Sequence, residues 1–267
     1  MRSSIIIGQY VDKQSVFHQL DPRIKIISIF MLMISFLLLD TVTSYVVATI
    51  FVFTLIVVSK VSAIHIFKGL RPLFFILSFT FFYHLFLTKG HIIWSMGFIT
   101  ITVEGLEAGI RFVWRILLLV LLASLLTLTT KPLILAKGLE NLLKPLAKFH
   151  VPIEQFSLMI VIAIRFIPTV LEELQRIILA QKSRGFDMQS LPFIKRVFAY
   201  IPIIIPLLFT TIKRADHLSD AIDARGYGNG KNRTSYMELQ YRQKDWMAMC
   251  GTILFILLLI FIKWSGF

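Results

Sequence analysis

The chain is short of acidic side chains and of charge in general. Of its 267 residues, 15 are Asp or Glu and 28 are Lys or Arg, and charged residues make up 16% of the sequence. A soluble domain typically carries about 25% charged residues. Because 57% of the residues are hydrophobic, the composition excludes an ordinary soluble domain and predicts a protein that crosses a membrane several times. The excess of basic residues then follows from the positive-inside rule and needs no nucleic acid.

The sequence has a single cysteine and lacks the usual motifs of metal sites and catalytic nucleophiles. Cys250 is the single cysteine, so an internal disulfide is excluded. The six histidines show no metal-ligand spacing with a cysteine or carboxylate, and no serine lies in a nucleophile-elbow pattern. Residues 226–231 (GYGNGK) resemble a phosphate-binding loop but are one residue too short, so we interpret them as a turn. We expect no catalytic residue, no metal and no cofactor.

Five apolar runs predict membrane helices, although most are shorter than the ~20 residues of an average span. The runs are Ile26–Leu39, Val42–Val58, Leu73–Leu87, Phe112–Leu128 and Met247–Ile262. Asp21 and Pro22 suit the start of the first helix, as a capping acceptor followed by proline. Residues 1–25, 60–71 and 131–246 hold 24 of the 28 basic residues. This asymmetry predicts five crossings with the N-terminus in the cytoplasm and the C-terminus outside.

Residues 131–246 are charged yet contain two further apolar runs, Phe156–Ile164 and Val197–Ile212. Basic residues flank the second run at both ends, so neither end is favoured outside. We therefore interpret both runs as long amphipathic helices at the cytoplasmic face. The prolines expected to kink them are Pro168, Pro202 and Pro206. We expect His91–Val103 to be an external loop or a partial insertion.

A short pattern occurs twice within this charged stretch. Residues 180–186 read AQKSRGF and residues 221–227 read AIDARGY, with Arg184 and Arg225 41 positions apart. Helical spacing places each arginine below a small or apolar stripe. The glycine that follows suits the left-handed residue that closes a helix. Each copy alone is typical of a helix C-terminus, but the repetition predicts a partner with two similar sockets.

Four ionisable residues stand at helical spacing where a membrane helix is predicted to begin: Glu104, Glu107, Arg111 and Arg115. They fit either a proton relay or a neutralised pair near the outer interface, with Glu107 and Arg111 as an i,i+4 pair. A stand-alone proton-coupled carrier is therefore a competing hypothesis. A membrane-embedded transferase is a third, but the clustered acidic motif that it requires is missing.

The residues also match a family. The chain resembles the transmembrane T component of energy-coupling factor (ECF) transporters, the EcfT (CbiQ/BioN-like) family, over nearly its whole length. The resemblance rests first on the two Arg-Gly motifs, Ser183-Arg184-Gly185 and Ala224-Arg225-Gly226, where Ser183 replaces the family's alanine. Supporting stretches are residues 20–25, 101–105, 165–168 and 233–234.

The resemblance implies a fold, partners and a site. The fold is an all-α polytopic membrane protein, a bundle of about five or more membrane helices plus long cytoplasmic coupling helices. Residues 1–130 form an N-terminal membrane domain that contacts the substrate-binding S component, residues 131–245 a cytoplasmic coupling domain, and residues 246–267 a C-terminal membrane helix. The implied function is non-catalytic: a scaffold in a bacterial cell membrane that couples two cytoplasmic ATPases, EcfA and EcfA', to vitamin or metal-ion uptake. The ATPase-coupling residues implied are Ser183, Arg184, Gly185, Ala224, Arg225 and Gly226.

Overall fold

The computed structural model describes residues 10–11, 13, 15–96, 99–149, 153–185, 192, 198–227 and 239–265. The chain divides into two compact units. Unit 1 comprises Met1–Ile153 and Leu239–Phe267, and unit 2 comprises Glu154–Glu238. The domains predicted from the sequence were defined by membrane side, and that assignment stays a prediction.

Helices dominate the described residues. In chain order the elements are α1 (Val16–Gln19), α2 (Pro22–Leu37), α3 (Val42–Ser59), α4 (Ala63–Leu70), α5 (Leu73–Leu87), β1 (Ile92–Met96), β2 (Ile99–Thr102), α6 (Val103–Thr129), α7 (Pro132–Leu143), a 3-10 helix (Lys144–Phe149), α8 (Ile153–Ser183), α9 (Ile201–Ala224) and α10 (Gln243–Ser265). Helices α8 and α9 belong to unit 2, apart from Ile153, and the other elements belong to unit 1.

Each apolar run predicted to be a membrane helix forms a helix. Of the described helices, α3, α6 and α10 are long and apolar enough to cross a membrane. Helices α2 and α5 have 16 and 15 residues, which at ~1.5 Å per residue is about 22–24 Å, shorter than the ~30 Å hydrocarbon core. The predicted all-α polytopic membrane fold is confirmed. The number of crossings and the side on which each terminus lies stay predictions.

The surface of unit 1 is itself apolar. Phe30 on α2, Phe53 on α3, Phe75 on α5 and Phe261 on α10 are each more than 60% exposed. Cys250 is also exposed on α10, so it faces outward rather than into the core. Monomeric soluble proteins rarely show large continuous apolar patches. The exposed faces of these helices are therefore suited to contact with lipid.

The start of α2 confirms the prediction made from Asp21 and Pro22. The Asp21 carboxylate accepts a hydrogen bond from the Arg23 backbone N–H at 2.9 Å, and Pro22 occupies the first turn. Proline needs no hydrogen-bond acceptor there, and its fixed φ suits the helix. The chain therefore enters the first long helix at a residue that the sequence identifies.

The core of unit 1 lies between α2, α3, α6 and α10. Phe36 and Ala48 are fully buried there, beside Leu122. The rings of Phe51 and Phe255 stack with their centroids 3.6 Å apart, so α3 packs directly on α10. In a soluble protein, moving a large apolar side chain from water into the core stabilises the fold by about 1.5–3 kcal/mol. Within a bilayer the packing contacts themselves hold the helices together, because lipid is as apolar as the core.

Helices α5 and α6 approach each other closely through two glycines one turn apart, Gly105 and Gly109. A Cβ at Gly105 would lie 2.8 Å from the His84 carbonyl oxygen, and one at Gly109 would lie 3.2 Å from the Phe81 ring. This is the small-xxx-small arrangement that lets membrane helices touch backbone to backbone. We expect Gly105→Leu to separate α5 from α6.

Residues His91–Val103, predicted as an external loop or partial insertion, carry an antiparallel hairpin, and its location relative to the membrane stays a prediction. Strand β1 pairs with β2 in the register Trp94↔Ile101 and Met96↔Ile99, with an irregularity between Ile92 and Trp94. Isoleucine occurs twice in each strand and threonine twice in β2, and β-branched residues favour extended pairing. The hairpin leads straight into α6, whose first turn the Thr102 hydroxyl caps.

At the opposite end of α2, charged residues join three elements of unit 1. Asp40 lies in the α2–α3 connection, with its carboxylate 2.7 Å from Lys263 Nζ on α10 and 3.8 Å from Arg115 on α6. The hydrogen bond from Lys263 holds the pKa of Asp40 below its usual range. The carboxylate therefore stays ionised at neutral pH, and its contribution is lost only as the pH falls through that lowered value. This contact is largely exposed, so it is screened and weak.

Candidate functional site

The first Arg-Gly motif forms the end of α8. The Arg184 backbone N–H donates to the Ala180 carbonyl at 3.2 Å, and the Gly185 N–H donates to Lys182 at 3.0 Å. Gly185 has φ +82°, the left-handed region predicted for it. The Ser183 hydroxyl donates to the Leu179 carbonyl of its own helix at 3.1 Å. Serine therefore fills the family's alanine position without leaving an unsatisfied polar group.

The second motif ends α9 in the same way. The Gly226 N–H donates to Asp223 at 2.8 Å, and the Tyr227 N–H donates to the Ile222 carbonyl at 3.2 Å. Gly226 has φ +66°. A bond that reaches back from the residue after the left-handed glycine is typical of the Schellman closure. The two motifs share residue pattern, glycine conformation and the hydrogen bond from the glycine N–H to the carbonyl three residues earlier.

The two motif arginines present their guanidinium groups at the surface of unit 2. Arg184 and Arg225 are exposed, and neither forms an ion pair with another residue in the described ranges. Guanidinium stays charged and can bind a carboxylate through two parallel hydrogen bonds. Each helix end therefore offers a cation next to a stripe of small and apolar residues, which suits an acidic residue set in an apolar socket.

The length of α9 separates the two helix ends. Gln181, in the last turn of α8, donates through Nε2 to the carbonyl of Pro202 in the first turn of α9, at 3.4 Å. Arg225 lies 23 residues beyond Pro202, or about 35 Å along a helix axis at ~1.5 Å per residue. The two arginines therefore lie tens of ångströms apart, too far to serve one small ligand.

The prolines in unit 2 have different positions. Pro168 lies inside α8 and Pro206 lies inside α9, where each removes a helical hydrogen bond. Pro202 lies in the first turn of α9, where its missing N–H interrupts no hydrogen bond. We therefore assign no kink to Pro202, in contrast to the prediction from the sequence.

The four ionisable residues of α6 are not joined into one chain. Glu107 pairs with Arg111 as predicted. Glu104 accepts instead from the His91 backbone N–H at 2.7 Å. The guanidinium of Arg115 binds the Leu39 carbonyl and the Tyr45 hydroxyl. The arrangement ties the hairpin and the α2–α3 connection to α6, which fits a structural role.

Three further features of the sequence concern ion pairs on α8, a metal site and a turn. Glu173 lies 4.0 Å from Arg176, whereas Arg165 has no ion pair among the described residues. No group of three His, Cys, Asp or Glu side chains in the described ranges could hold a metal ion. The turn at residues 228–231 and the stretch 233–234 lie outside the described residues.

Sequence reasoning missed a buried junction where the chain returns to unit 1. Asp245, which is 1% exposed, accepts from the Asp21 backbone N–H and the Arg242 backbone N–H, each at 2.7 Å. Its carboxylate thus caps α10 and ties that helix to the start of α2. Arg23 extends the contact, because its guanidinium donates to the Leu239 carbonyl at 2.8 Å and stacks on Tyr241.

A buried lysine completes this junction. Lys25 is 3% exposed, and its Nζ lies 3.2–3.4 Å from the carbonyls of His18 and Thr129 and the hydroxyl of Thr130. A cation suits the end of α6, where unpaired carbonyls carry the negative end of the helix dipole. Residues 20–25 therefore bind α6, α10 and the returning chain together.

We expect the closing glycines to resist substitution in a graded way. Gly226→Ala places a Cβ in the left-handed region and should lower the free energy of unfolding by about 1–2 kcal/mol. Gly226→Asn should lower it less, because asparagine tolerates that conformation. No atom lies within 4 Å of a Cβ at Gly226, so crowding within the chain does not contribute. The measurement is the free energy of unfolding of each purified variant. Equal losses for Ala and Asn would contradict the conformational explanation.

Comparison with known proteins agrees with the membrane fold. Residues 13–236 match the CbiQ family, described as "Cobalt transport protein". The chain is 40% identical over 267 residues to the energy-coupling factor transporter transmembrane protein EcfT of Ruminiclostridium cellulolyticum, covering 100% of both chains. It is 39% identical over 264 residues to EcfT of Bacillus subtilis, covering 98% of this chain and 100% of that one.

These matches place the molecule among the transmembrane proteins of transporters. More narrowly, the chain belongs to the EcfT family of energy-coupling factor transporter transmembrane proteins. The resemblance inferred from the two Arg-Gly motifs is thereby confirmed. The roles of the individual motif residues stay predictions.

Proposed function

We propose that this protein is the scaffold that links ATP hydrolysis by two cytoplasmic ATPase subunits to micronutrient uptake through a substrate-binding S component. The observation that carries the proposal is the pair of arginine-tipped helix ends, alike in glycine conformation and separated by the length of α9. Two similar helix ends that lie far apart are better suited to bind two similar subunits than one small ligand. The substrate class is a vitamin or a metal ion, and the family description points to cobalt as one such ion.

In the proposed mechanism, Arg184 and Arg225 each bind an acidic residue on one ATPase. Closure of the ATPase pair on ATP changes the spacing of the two sockets, and the helices that end at the tips move with them. Rigid-body motion of packed helices is a common way to carry such a change. Unit 1 holds the membrane helices, and the S component changes orientation against it. The protein supplies no catalytic residue, because hydrolysis takes place in its partners.

The membrane arrangement proposed with this function places the N-terminus and unit 2 in the cytoplasm. The distribution of basic residues supports it, since 24 of 28 lie in the segments assigned to that side. Exposed cysteines offer a direct check. Cys250 is the single cysteine, and in a Cys250→Ala background we expect Ser183→Cys to react with a membrane-impermeant maleimide only after cells are opened. Labelling in intact cells would contradict the arrangement.

Affinity purification in mild detergent followed by mass spectrometry tests the proposal itself. We expect two ATPase subunits and at least one small membrane protein to co-elute. Uptake in proteoliposomes should require ATP inside the compartment that holds the ATPases and should survive collapse of the proton gradient. Uptake that depends on the proton gradient and not on ATP would instead support the stand-alone carrier, which the separated partners of Glu104, Glu107, Arg111 and Arg115 disfavour.

A further inference from the structure

Two grooves adjoin at the end of unit 1 where α2 and α10 begin. The first has a volume of about 400 Å³ and is lined by polar and charged residues: Gln19, Arg242, Gln243, Lys244 and Asp245. The second is apolar, has a volume of about 490 Å³ and lies among α1, α2, α3 and α10. Lys244 lines both grooves. Together they form one amphipathic site with a polar and an apolar compartment.

The apolar groove runs along the helix axes. Its wall on α10 extends over Lys244–Thr252 and its wall on α2 over Ile24–Leu32, each about 12 Å at ~1.5 Å per residue. That length takes up most of one leaflet of a ~30 Å hydrocarbon core. Gly251 lies in the wall, and a Cβ there would meet no atom within 4 Å. The groove therefore has room for an extended hydrocarbon chain beside α10.

Cations predominate at the polar compartment. Arg242 and Lys244 are exposed there, and Lys25 lines the adjoining apolar groove. The acid among the lining residues, Asp245, is buried, and its two oxygens already accept the backbone N–H groups of Asp21 and Arg242. The exposed charge at this compartment is therefore positive, and it complements an anionic group.

A buried polar atom lies in the wall of the apolar groove. The Ser28 side chain lines the apolar groove, Ser28 is 9% exposed, and its Oγ has no hydrogen-bond partner among the described residues. A buried hydroxyl without a partner costs free energy. Ser28 lies one turn deeper along α2 than Lys25. A ligand whose hydrogen-bond acceptor lies between a charged head group and an apolar tail would supply the missing partner of the Ser28 Oγ.

The apolar groove has an exposed rim. Val16, Val58 and Met247 on three of its walls are 55%, 44% and 65% exposed. Helix α10 is also long and apolar enough to cross a membrane. A ligand can therefore enter sideways from the hydrocarbon without passing through water.

We propose that the two grooves bind one anionic phospholipid of the surrounding bilayer. Its phosphate group contacts Arg242 and Lys244, an ester carbonyl accepts a hydrogen bond from Ser28 Oγ, and one acyl chain lies in the apolar groove beside Gly251. The lipid would cover the site where α1, α2 and α10 meet. The inference concerns unit 1 alone and does not depend on the coupling role of the two Arg-Gly motifs.

Native mass spectrometry of the full-length protein in a delipidating detergent tests the inference, with phosphatidylglycerol and phosphatidylcholine as the probes. We expect the protein to bind one phosphatidylglycerol more tightly than phosphatidylcholine. Because a basic residue near an anionic lipid is worth about a fivefold to tenfold change in affinity, Arg242→Gln with Lys244→Gln should weaken phosphatidylglycerol binding about 30-fold or more and remove the preference. Lys144→Gln, at an exposed lysine outside both grooves, is the matched control and should leave binding unchanged.

The apolar compartment is tested by filling it. Gly251→Leu should reduce the binding of both lipids, whereas Gly251→Ala, which meets no neighbouring atom, should keep most of it. Ser28→Ala should weaken both lipids to a small and similar extent. Thermal melting of each variant separates a blocked groove from an unfolded protein, and the graded Gly251 pair remains informative if the leucine variant misfolds.

Three results would overturn the inference. The first is equal affinity for the two lipids in the unaltered protein. The second is a phosphatidylglycerol affinity that the Arg242 and Lys244 substitutions leave unchanged. The third is a Gly251→Leu variant that keeps its bound lipid but loses a co-purifying membrane protein, since the groove would then hold a helix of that partner.

Discussion

The double variant Arg184→Ala with Arg225→Ala is expected to abolish ATPase binding while the protein still inserts into the membrane. Removing one member of a desolvated charge pair typically costs about 2–5 kcal/mol. At ~1.4 kcal/mol per tenfold change, each substitution should weaken binding by about 30-fold or more. Both arginines are exposed and form no ion pair with another described residue, so the fold of the chain itself should not change. Co-purification of the ATPases and ATP-dependent uptake are the two measurements.

Matched variants separate the guanidinium groups from net charge. Lys182→Ala with Arg214→Ala removes one exposed cation from each of the same two helices and should leave both measurements near their normal values. Arg184→Lys with Arg225→Lys keeps the charge but loses the paired hydrogen bonds, so it should give intermediate binding. Undiminished ATPase binding and uptake in the double alanine variant would refute the proposed role of the motifs.

The second large effect is expected at the buried junction of unit 1. Asp245→Ala leaves the Asp21 and Arg242 backbone N–H groups without their acceptor. Because each buried unsatisfied donor costs about 1–3 kcal/mol, the free energy of unfolding should fall by about 2–5 kcal/mol. For a chain of this size that corresponds to a drop in Tm of roughly 5–15 °C. Thermal melting of the purified protein in detergent is the measurement.

The variant Asp245→Asn is expected to have a smaller effect on the Tm than Asp245→Ala. One carboxamide oxygen can still accept from one N–H group, so this variant should melt between the normal protein and Asp245→Ala. Asp220→Ala on α9 removes an exposed carboxylate and should change the Tm by little. If the Tm of Asp245→Ala equals that of the normal protein, Asp245 does not hold α10 to α2.

The parts of this structure that were predictable from the sequence are those fixed within one or two helical turns. The Asp21 cap, the left-handed glycines and the Glu107–Arg111 pair each depend on residues at most four positions apart. Their geometry is therefore set by backbone rules that any helix obeys. The same holds for the apolar runs, whose residues form helices where they were expected.

The junction could not be predicted, because its partners are distant in sequence. Asp245 binds the backbone of a residue 224 positions away, and an isolated Asp near the start of a helix is normally no more than a cap. Arg115 was placed with Glu107 and Arg111 by helical spacing, yet it binds Leu39 and Tyr45. Such pairings depend on which helices pack together, and one sequence without an alignment carries little information on that.

The length of α9 limits how the proposed coupling can work. A helix has a fixed rise per residue, so its two ends cannot slide toward each other while its hydrogen bonds remain intact. A change in the spacing of the two arginines therefore requires bending of α9 or movement of α8 against it, whereas a tilt of α9 moves its ends but keeps its length. Bending would concentrate at Pro206, where a backbone hydrogen bond is already missing. A tilt of ~10° about the midpoint of a ~35 Å rod displaces its ends by about 3 Å in opposite directions.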